Sequence, residues 1–239
     1  MRKLFFAATM LTVALLGTGC TSSNSESVSG QAEGHNYVDL GLPSGTLWAT
    51  CNLGANLPEE NGSYFAWGET APKSEFEWNN YKWGNGEAES RIKMTKYCSH
   101  ERKGEVDNIQ LLESADDAAT TLWNGTWRTP TKEEWEELIN GCDWEWVKNY
   151  KGKGIDMKKG TSKTNGNSIL FPFSGYYNGT TFYNNSNAFW TATQKADNGL
   201  DAFFVRMLTH NQNMNNGQRK QGMTIRAVTI QPAQGNGSK

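Results

Sequence analysis

The sequence predicts an α+β domain, built mostly of short antiparallel strands and long loops with one or two helices. Apolar residues alternate along several short runs, the period of a half-buried strand. Only one segment shows sustained helical spacing. Glycine, at 25 of 239 residues, and asparagine interrupt the chain almost everywhere, as turn-rich strand proteins require.

The chain opens with a leader rather than a structural element. Arg2 and Lys3 are followed by an apolar run from Leu4 to Leu16, then Gly17-Thr18-Gly19 and Cys20. The run is shorter than the roughly 20 apolar residues a spanning helix needs, and fits a cleaved export signal. Cys20 at the cleavage point resembles a lipobox cysteine, although Gly17 stands where that pattern places leucine. The resemblance implies acylation of Cys20 and a lipid anchor in the cell envelope, most naturally the outer membrane. Small polar residues from 21 to 34 read as a flexible tether, residues 35–230 as the domain, and 231–239 as a disordered tail.

Within the domain, Val38, Leu40 and Leu42 alternate, Pro43-Ser44-Gly45 marks a turn, and 46–50 returns as the second strand of a hairpin. Between Gly54 and Lys96 there is no clear period. Tyr64 to Glu69 reads as a short strand, and Trp78, Tyr81 and Trp83 as anchors of a long loop. Ser114 to Trp123 predicts a short helix headed by Asp116 and Asp117. Thr131 and Glu134 form a capping box, and Trp135, Leu138, Ile139 and Cys142 fall on one stripe, with Gly141 as the stop. Strands are expected at 168–173, 188–192, 202–207 and 223–228.

Composition excludes several classes. The net charge of −2 leaves no basic footprint for nucleic acid. Once Cys20 is set aside, Cys51, Cys98 and Cys142 are an odd set, so at most one internal disulfide can form, and buried apolar thiols are the simpler reading. There is no Gly-rich phosphate cradle and no Gly-x-Ser-x-Gly elbow. His35, His100 and His210 lack ligand spacing, so no metal is expected. Glu133, Glu134, Glu136 and Glu137 read as a solvated helix face with one capping residue.

The segment Trp127-Arg128-Thr129-Pro130-Thr131-Lys132-Glu133-Glu134-Trp135 resembles the signature of the formylglycine-generating-enzyme-like branch of the C-type lectin fold. Tyr37 to Thr50, Gly166 to Pro172 and Gly175-Tyr176 look like the lipoprotein family typified by the Fibrobacter succinogenes major paralogous domain. The resemblance spans about Tyr37 to Val228 and implies a lectin-like domain with paired terminal strands and long loops at one end. Enzymes of that class hold copper with late paired thiols or iron with three histidines, and this chain has neither. The usual calcium-lectin triplets are also absent: Trp78-Asn79-Asn80 and Trp123-Asn124-Gly125 lack the carboxylate a hard cation wants. No cofactor, and no catalytic residue, is therefore expected.

The region from Tyr176 to Arg219 is dense in asparagine and aromatic residues, the chemistry of recognition loops. The expected ligand-binding set is Tyr177, Asn178, Phe182, Tyr183, Asn184, Asn185, Asn187, Asn211, Asn213, Asn215, Asn216 and Arg219. The run from Asn211 to Arg219 also resembles the variable region of proteins diversified by retroelements, which implies swappable side chains on a rigid frame. The expected partner is a protein or glycan outside the cell or in the periplasm. The alternative is a periplasmic structural or accessory subunit of a surface assembly, contacting its partner through Trp78, Tyr81 and Trp83.

Overall fold

Residues 26–184 and 186–230 are described by a computed structural model. The leader with Cys20, residues 21–25 of the expected tether, Asn185 and the tail 231–239 lie outside the described residues. The elements are β1 (Gly30–Ala32), β2 (His35–Asp39), β3 (Leu47–Ala49), α1 (Ala118–Trp123), α2 (Lys132–Gly141), β4 (Cys142–Val147), β5 (Met157–Ser162) and β6 (Ser168–Pro172). After them come β7 (Tyr176–Asn178), β8 (Thr181–Tyr183), β9 (Asn187–Lys195), β10 (Asp201–Met207), β11 (Gln212–Gln218) and β12 (Val228–Thr229). The fold is mixed and strand-rich, with antiparallel sheets and two α-helices among the described residues.

The expected hairpin pairs Val38 with Trp48, and β12 adds to its far side, Val228 opposite Trp48. The first and last parts of the domain thus close one sheet, in the order β1-β2-β3-β12. Its outermost strand corrects the tether: residues 30–32 pair with β2, and Ser27 N–H donates to the Ser168 carbonyl at 2.9 Å. Backbone pairing needs no apolar side chains, so the polar composition concealed it. A Cβ at Gly30 would sit 2.4 Å from the Tyr37 hydroxyl, so a side chain there would have to displace the Tyr37 ring.

Both helices start as their residues dictate. Asp117 caps α1 by accepting from Ala119 N–H at 2.9 Å. It also accepts from Thr129 N–H at 2.7 Å, which ties α1 to the approach of α2. Thr131 Oγ1 accepts from Glu134 N–H at 3.3 Å, and Glu134 returns the bond to Thr131 N–H at 2.8 Å. Trp135 and Leu138 face the core, where Trp135 meets Trp48 edge-on at 4.7 Å.

The end of α2 departs from expectation. Gly141 is the last helical residue and no left-handed stop; Cys142 follows in extended conformation, φ −119°, as the first residue of β4. The missing Cβ at Gly141 keeps clear of Leu42 Cδ2, 2.5 Å from where it would stand. Neither β4 nor β5 was foreseen. Met157-Lys158-Lys159-Gly160 reads as polar, yet both lysines are buried because long stems pack while the amines find partners. Lys158 Nζ donates to the Thr209 carbonyl at 3.0 Å and Lys159 pairs with Glu145 at 3.1 Å. Of the strand expected at 64–69, only a single bridge from Phe65 to Met223 forms. Of 223–228, only Val228 belongs to a strand, β12.

The long loop is pinned as its aromatics predicted, but with a consequence for the alternative function. Trp78 and Tyr81 are buried and Trp83 half-buried. Tyr81 Oη donates to the Trp67 carbonyl at 2.8 Å and Trp83 Nε1 to the Gly68 carbonyl at 2.7 Å. They are spent on holding the loop, so they do not form an exposed partner contact. Asp116 adds an electrostatic hub: Lys96, Lys82 and Tyr97 donate to it at 2.6, 3.0 and 2.7 Å. Burial pushes its carboxyl up, but those donors outweigh it and hold the pKa below the usual carboxylate value.

Candidate ligand-binding face

β9, β10 and β11 form one sheet with β10 central, and its register decides which asparagines act together. Arg206 opposes Asn213 and Phe204 opposes Asn215, so these four share one face. Val205, Phe203 and Met207 oppose Met214, Asn216 and Gln212 on the other. That second face turns toward α2: Trp135 packs on Phe189 at 5.6 Å and Lys132 Nζ lies 5.5 Å from the Phe203 ring. The run from Asn211 to Arg219 is therefore largely an edge strand, not a recognition loop, and its side chains are split between two faces.

Beside it stands the β7–β8 hairpin, turned at Gly179. That glycine has φ +64°, and a Cβ would meet Glu77 Oε1 at 2.5 Å. Tyr176 pairs with Tyr183, their rings stacked at 5.1 Å and 12°. Tyr177 lies 4.9 Å from the Phe182 ring and packs inward on Phe76 and Tyr64 at 5.7 and 4.9 Å. Phe182 is 42% exposed and Tyr183 38%, large apolar areas to leave in water.

Between hairpin and sheet lies a cleft of about 190 Å³. Tyr176, Phe204 and Met223 give it apolar walls, Ser186, Arg206 and Gln221 supply polar side chains, and Asn216 borders it from the strand edge. Arg206 Nε is buried with no hydrogen-bond partner among the described residues. The cleft lining contains no carboxylate, imidazole or thiol. It can donate hydrogen bonds and offer a positive charge, but it presents no group suited to moving a proton near neutral pH.

The expected residues divide accordingly. Phe182, Tyr183, Asn184, Asn211, Asn213 and Asn216 are exposed, while Tyr177, Asn178 and Asn215 are half-buried. Asn185 lies outside the described residues. Two expectations are overturned. Asn187 is fully buried in β9, because the strand that places Phe189 in the core carries it inside as well. Arg219 is also fully buried: it donates to the Tyr97 carbonyl at 2.8 Å and to Gln194 Oε1, with its guanidinium 4.9 Å from the Trp67 ring. It braces the fold and cannot meet a ligand. Tyr176, Ser186, Phe204, Arg206, Gln221 and Met223 were outside the expected set, since separate chain segments must converge to make the cleft. The alternation Val205-Arg206-Met207 was the available signal, a cation on the face opposite two core residues.

Other reactive groups are engaged elsewhere. Arg128 pairs with Glu134 (Nη1 to Oε2 2.7 Å), Glu136 with Lys132 at 2.9 Å, and Glu137 accepts from Ser44 N–H at 2.9 Å. His35 stacks on Trp123 at 3.9 Å, and burial pushes its pKa down. It lines a cavity of about 160 Å³ with Cys51. Yet the polar neighbour of the Cys51 thiol is Thr50 Oγ1 at 3.8 Å, and burial pushes that thiol up, the reverse of an activated nucleophile. Cys51, Cys98 and Cys142 form no disulfide with one another, and burial pushes Cys142 up to about 12. Among the described residues no three His, Cys, Asp or Glu side chains gather as a metal site, and no helix is long and apolar enough to cross a membrane. Comparison with protein-family models, curated proteins and solved structures finds no match.

Proposed function

We propose that this chain is a lipid-anchored cell-envelope protein whose C-type lectin-like domain binds a ligand without catalysis and without calcium. The carrying observation is the cleft between the β7–β8 hairpin and the sheet, bordered by the Tyr176–Tyr183 stack and by Asn213 opposite Arg206. The Arg206 guanidinium Nε has no partner among the described residues, and the cleft lining holds no acid–base group. Aromatic rings give contact area at low entropic cost and amides adapt their hydrogen bonds, so this composition suits recognition. The lectin-like reading draws support from the sheet that joins β12 to the N-terminal hairpin. It is also supported by the Arg128–Glu134 pair inside the motif that carries the resemblance.

The partner is a protein or glycan outside the cell or in the periplasm, and Cys20 carries the lipid, at the outer membrane. If β11 is diversified by a retroelement, variation belongs at Asn211, Asn213 and Asn216, which are exposed, and not at buried Asn187 or Arg219.

The test is the triple variant Phe182→Ala, Tyr183→Ala, Asn213→Ala, screened beside wild type on a glycan array and a displayed peptide library. Binding should fall at least tenfold while the variant keeps a folded circular dichroism spectrum and Tm drops by no more than about 12 °C, since the two ring pairs lost contribute about 0.5–1.5 kcal/mol each. Unchanged binding, or a larger loss of Tm, would overturn the assignment of the face. Protease shaving of intact cells, with Cys20→Ala as the unanchored control, locates the domain.

A further inference from the structure

Arginines buried in this fold are otherwise provided for. Arg226 is fully buried and donates to Asn52 Oδ1 at 2.9 Å and to the Ala49, Thr50 and Leu170 carbonyls at 3.1, 2.9 and 2.9 Å. Arg219 has its carbonyl and amide acceptors, and Arg128 its Glu134 carboxylate. Arg206 alone among these side chains leaves a buried donor, Nε, with no partner among the described residues. A buried donor left without a partner forfeits its hydration with nothing in return, and such exceptions in folded proteins call for an explanation.

We infer that the cleft receives the carboxylate of an aspartate or glutamate side chain on a protein partner, held by the Arg206 guanidinium. The inference rests on the binding-face reading and adds the chemistry of the ligand. Three features select a carboxylate. The guanidinium fork matches its two oxygens, and charge-assisted bonds of this kind are the strong ones. The cleft holds one cation and no anion, so a single negative charge balances it where a phosphate dianion would not. Ser186 and Gln221 line the same cleft and offer neutral donors for the remaining lone pairs.

Size and surroundings select a side chain. Sites that enclose a drug-sized ligand span about 300–1,000 Å³, and this cleft is about 190 Å³. It admits one short acidic side chain, with Tyr176, Phe204 and Met223 around the methylenes. Tyr183, stacked on the cleft-lining Tyr176, is exposed and needs an apolar surface to cover it, which a folded partner supplies. Phe182 is exposed on the opposite face of the hairpin with Tyr177.

The experiment uses the full chain with ¹⁵N-labelled arginine and ¹³C-methyl methionine, titrated with N-acetylglutamate and N-acetylglutamine, each with its α-carboxyl blocked as the N-methylamide, and with glucuronate. Arg206→Lys assigns the Arg206 Nε–H signal. N-acetylglutamate should shift that signal and the Met223 methyl saturably, at least tenfold more tightly than N-acetylglutamine. Binding should fade as pH drops below about 4.3, where the probe carboxyl protonates. In Arg206→Gln, checked for an unchanged Tm, the Met223 response should disappear. Equal response to acid and amide, no response, or a Met223 shift surviving in Arg206→Gln overturns the inference. Tighter binding of glucuronate than of N-acetylglutamate overturns the protein partner in favour of an acidic glycan. The two readings fail separately: if the Phe182/Tyr183/Asn213 variant loses array or library binding while Arg206 ignores acids, only the carboxylate fails. If that variant keeps all binding, the face reading fails, whatever Arg206 does.

Discussion

Arg219→Met separates a ligand contact from a structural brace at the residue where sequence and structure disagree most. Methionine keeps much of the apolar contact with Trp67 and removes the donors. Two buried acceptors are then orphaned, the Tyr97 carbonyl and Gln194 Oε1, and the weaker bond to the Asp201 carbonyl at 3.3 Å is lost as well. Tyr97 sits at φ +58°, a backbone state unfavourable for a bulky residue, so its carbonyl needs the anchor. Each orphaned acceptor is destabilising by about 1–3 kcal/mol. Loss of the guanidinium–indole contact adds up to about 2 kcal/mol, and relief of a buried, desolvated cation offsets part of the sum. A net loss of about 3–4 kcal/mol follows, and at about 2–4 °C per kcal/mol for a domain of this size, Tm should fall by about 6–16 °C. Circular dichroism melts and urea unfolding of wild type and variant measure it. A Tm within about 2 °C of wild type would refute the bracing role, and loss of ligand binding at that unchanged Tm would return Arg219 to the binding face.

Glu134→Gln should remove an acid-sensitive component of stability. Burial raises the Glu134 carboxyl, but Arg128 and the Thr131 N–H lower it more, so the net pKa lies below 4.5. Its contribution is present above the unfolded value and lost as pH falls through the folded one; wild type should lose Tm below about pH 4.5 more steeply than the variant. Glu26 has the opposite sign. Burial raises it to about 8 against the opposing pull of Arg226 at 3.7 Å. Its protonated form favours the fold fully below 4.5, and that advantage declines as pH rises to about 8. Glu26→Gln should therefore flatten the Tm–pH profile between 4.5 and 8 and stabilise the protein above it; an unchanged profile would show that Glu26 is not buried as a neutral acid.

Local signals were legible wherever adjacent residues carry both partners of an interaction. The Thr131–Glu134 capping box, the Trp135/Leu138 stripe and the Val38/Trp48 hairpin can be read directly, because each is set within a few residues. The Asn-rich run misled because asparagine is equally at home in turns, loops and edge strands. Composition identified an exposed, amide-rich region but could not tell Asn213 from Asn187. Nor could it tell Arg206, which faces a cleft, from Arg219, which lies under Trp67.

From the sequence alone came the two helix starts, the first hairpin, the strands near 168–173, 188–192 and 202–207, and the lack of a basic stretch or a recognised catalytic motif. Tertiary structure decided the rest: that residues 30–32 close a sheet, that Trp78 and Tyr81 are buried, and that Arg206 keeps a buried donor without a partner among the described residues while Arg219 is bonded on Tyr97 and Gln194. The reason is physical. Capping, turn formation and strand period act over a few residues, whereas the burial and hydrogen bonding of a side chain depend on segments far apart in the chain. Arg219 meets Tyr97 and Gln194 only after the fold is complete.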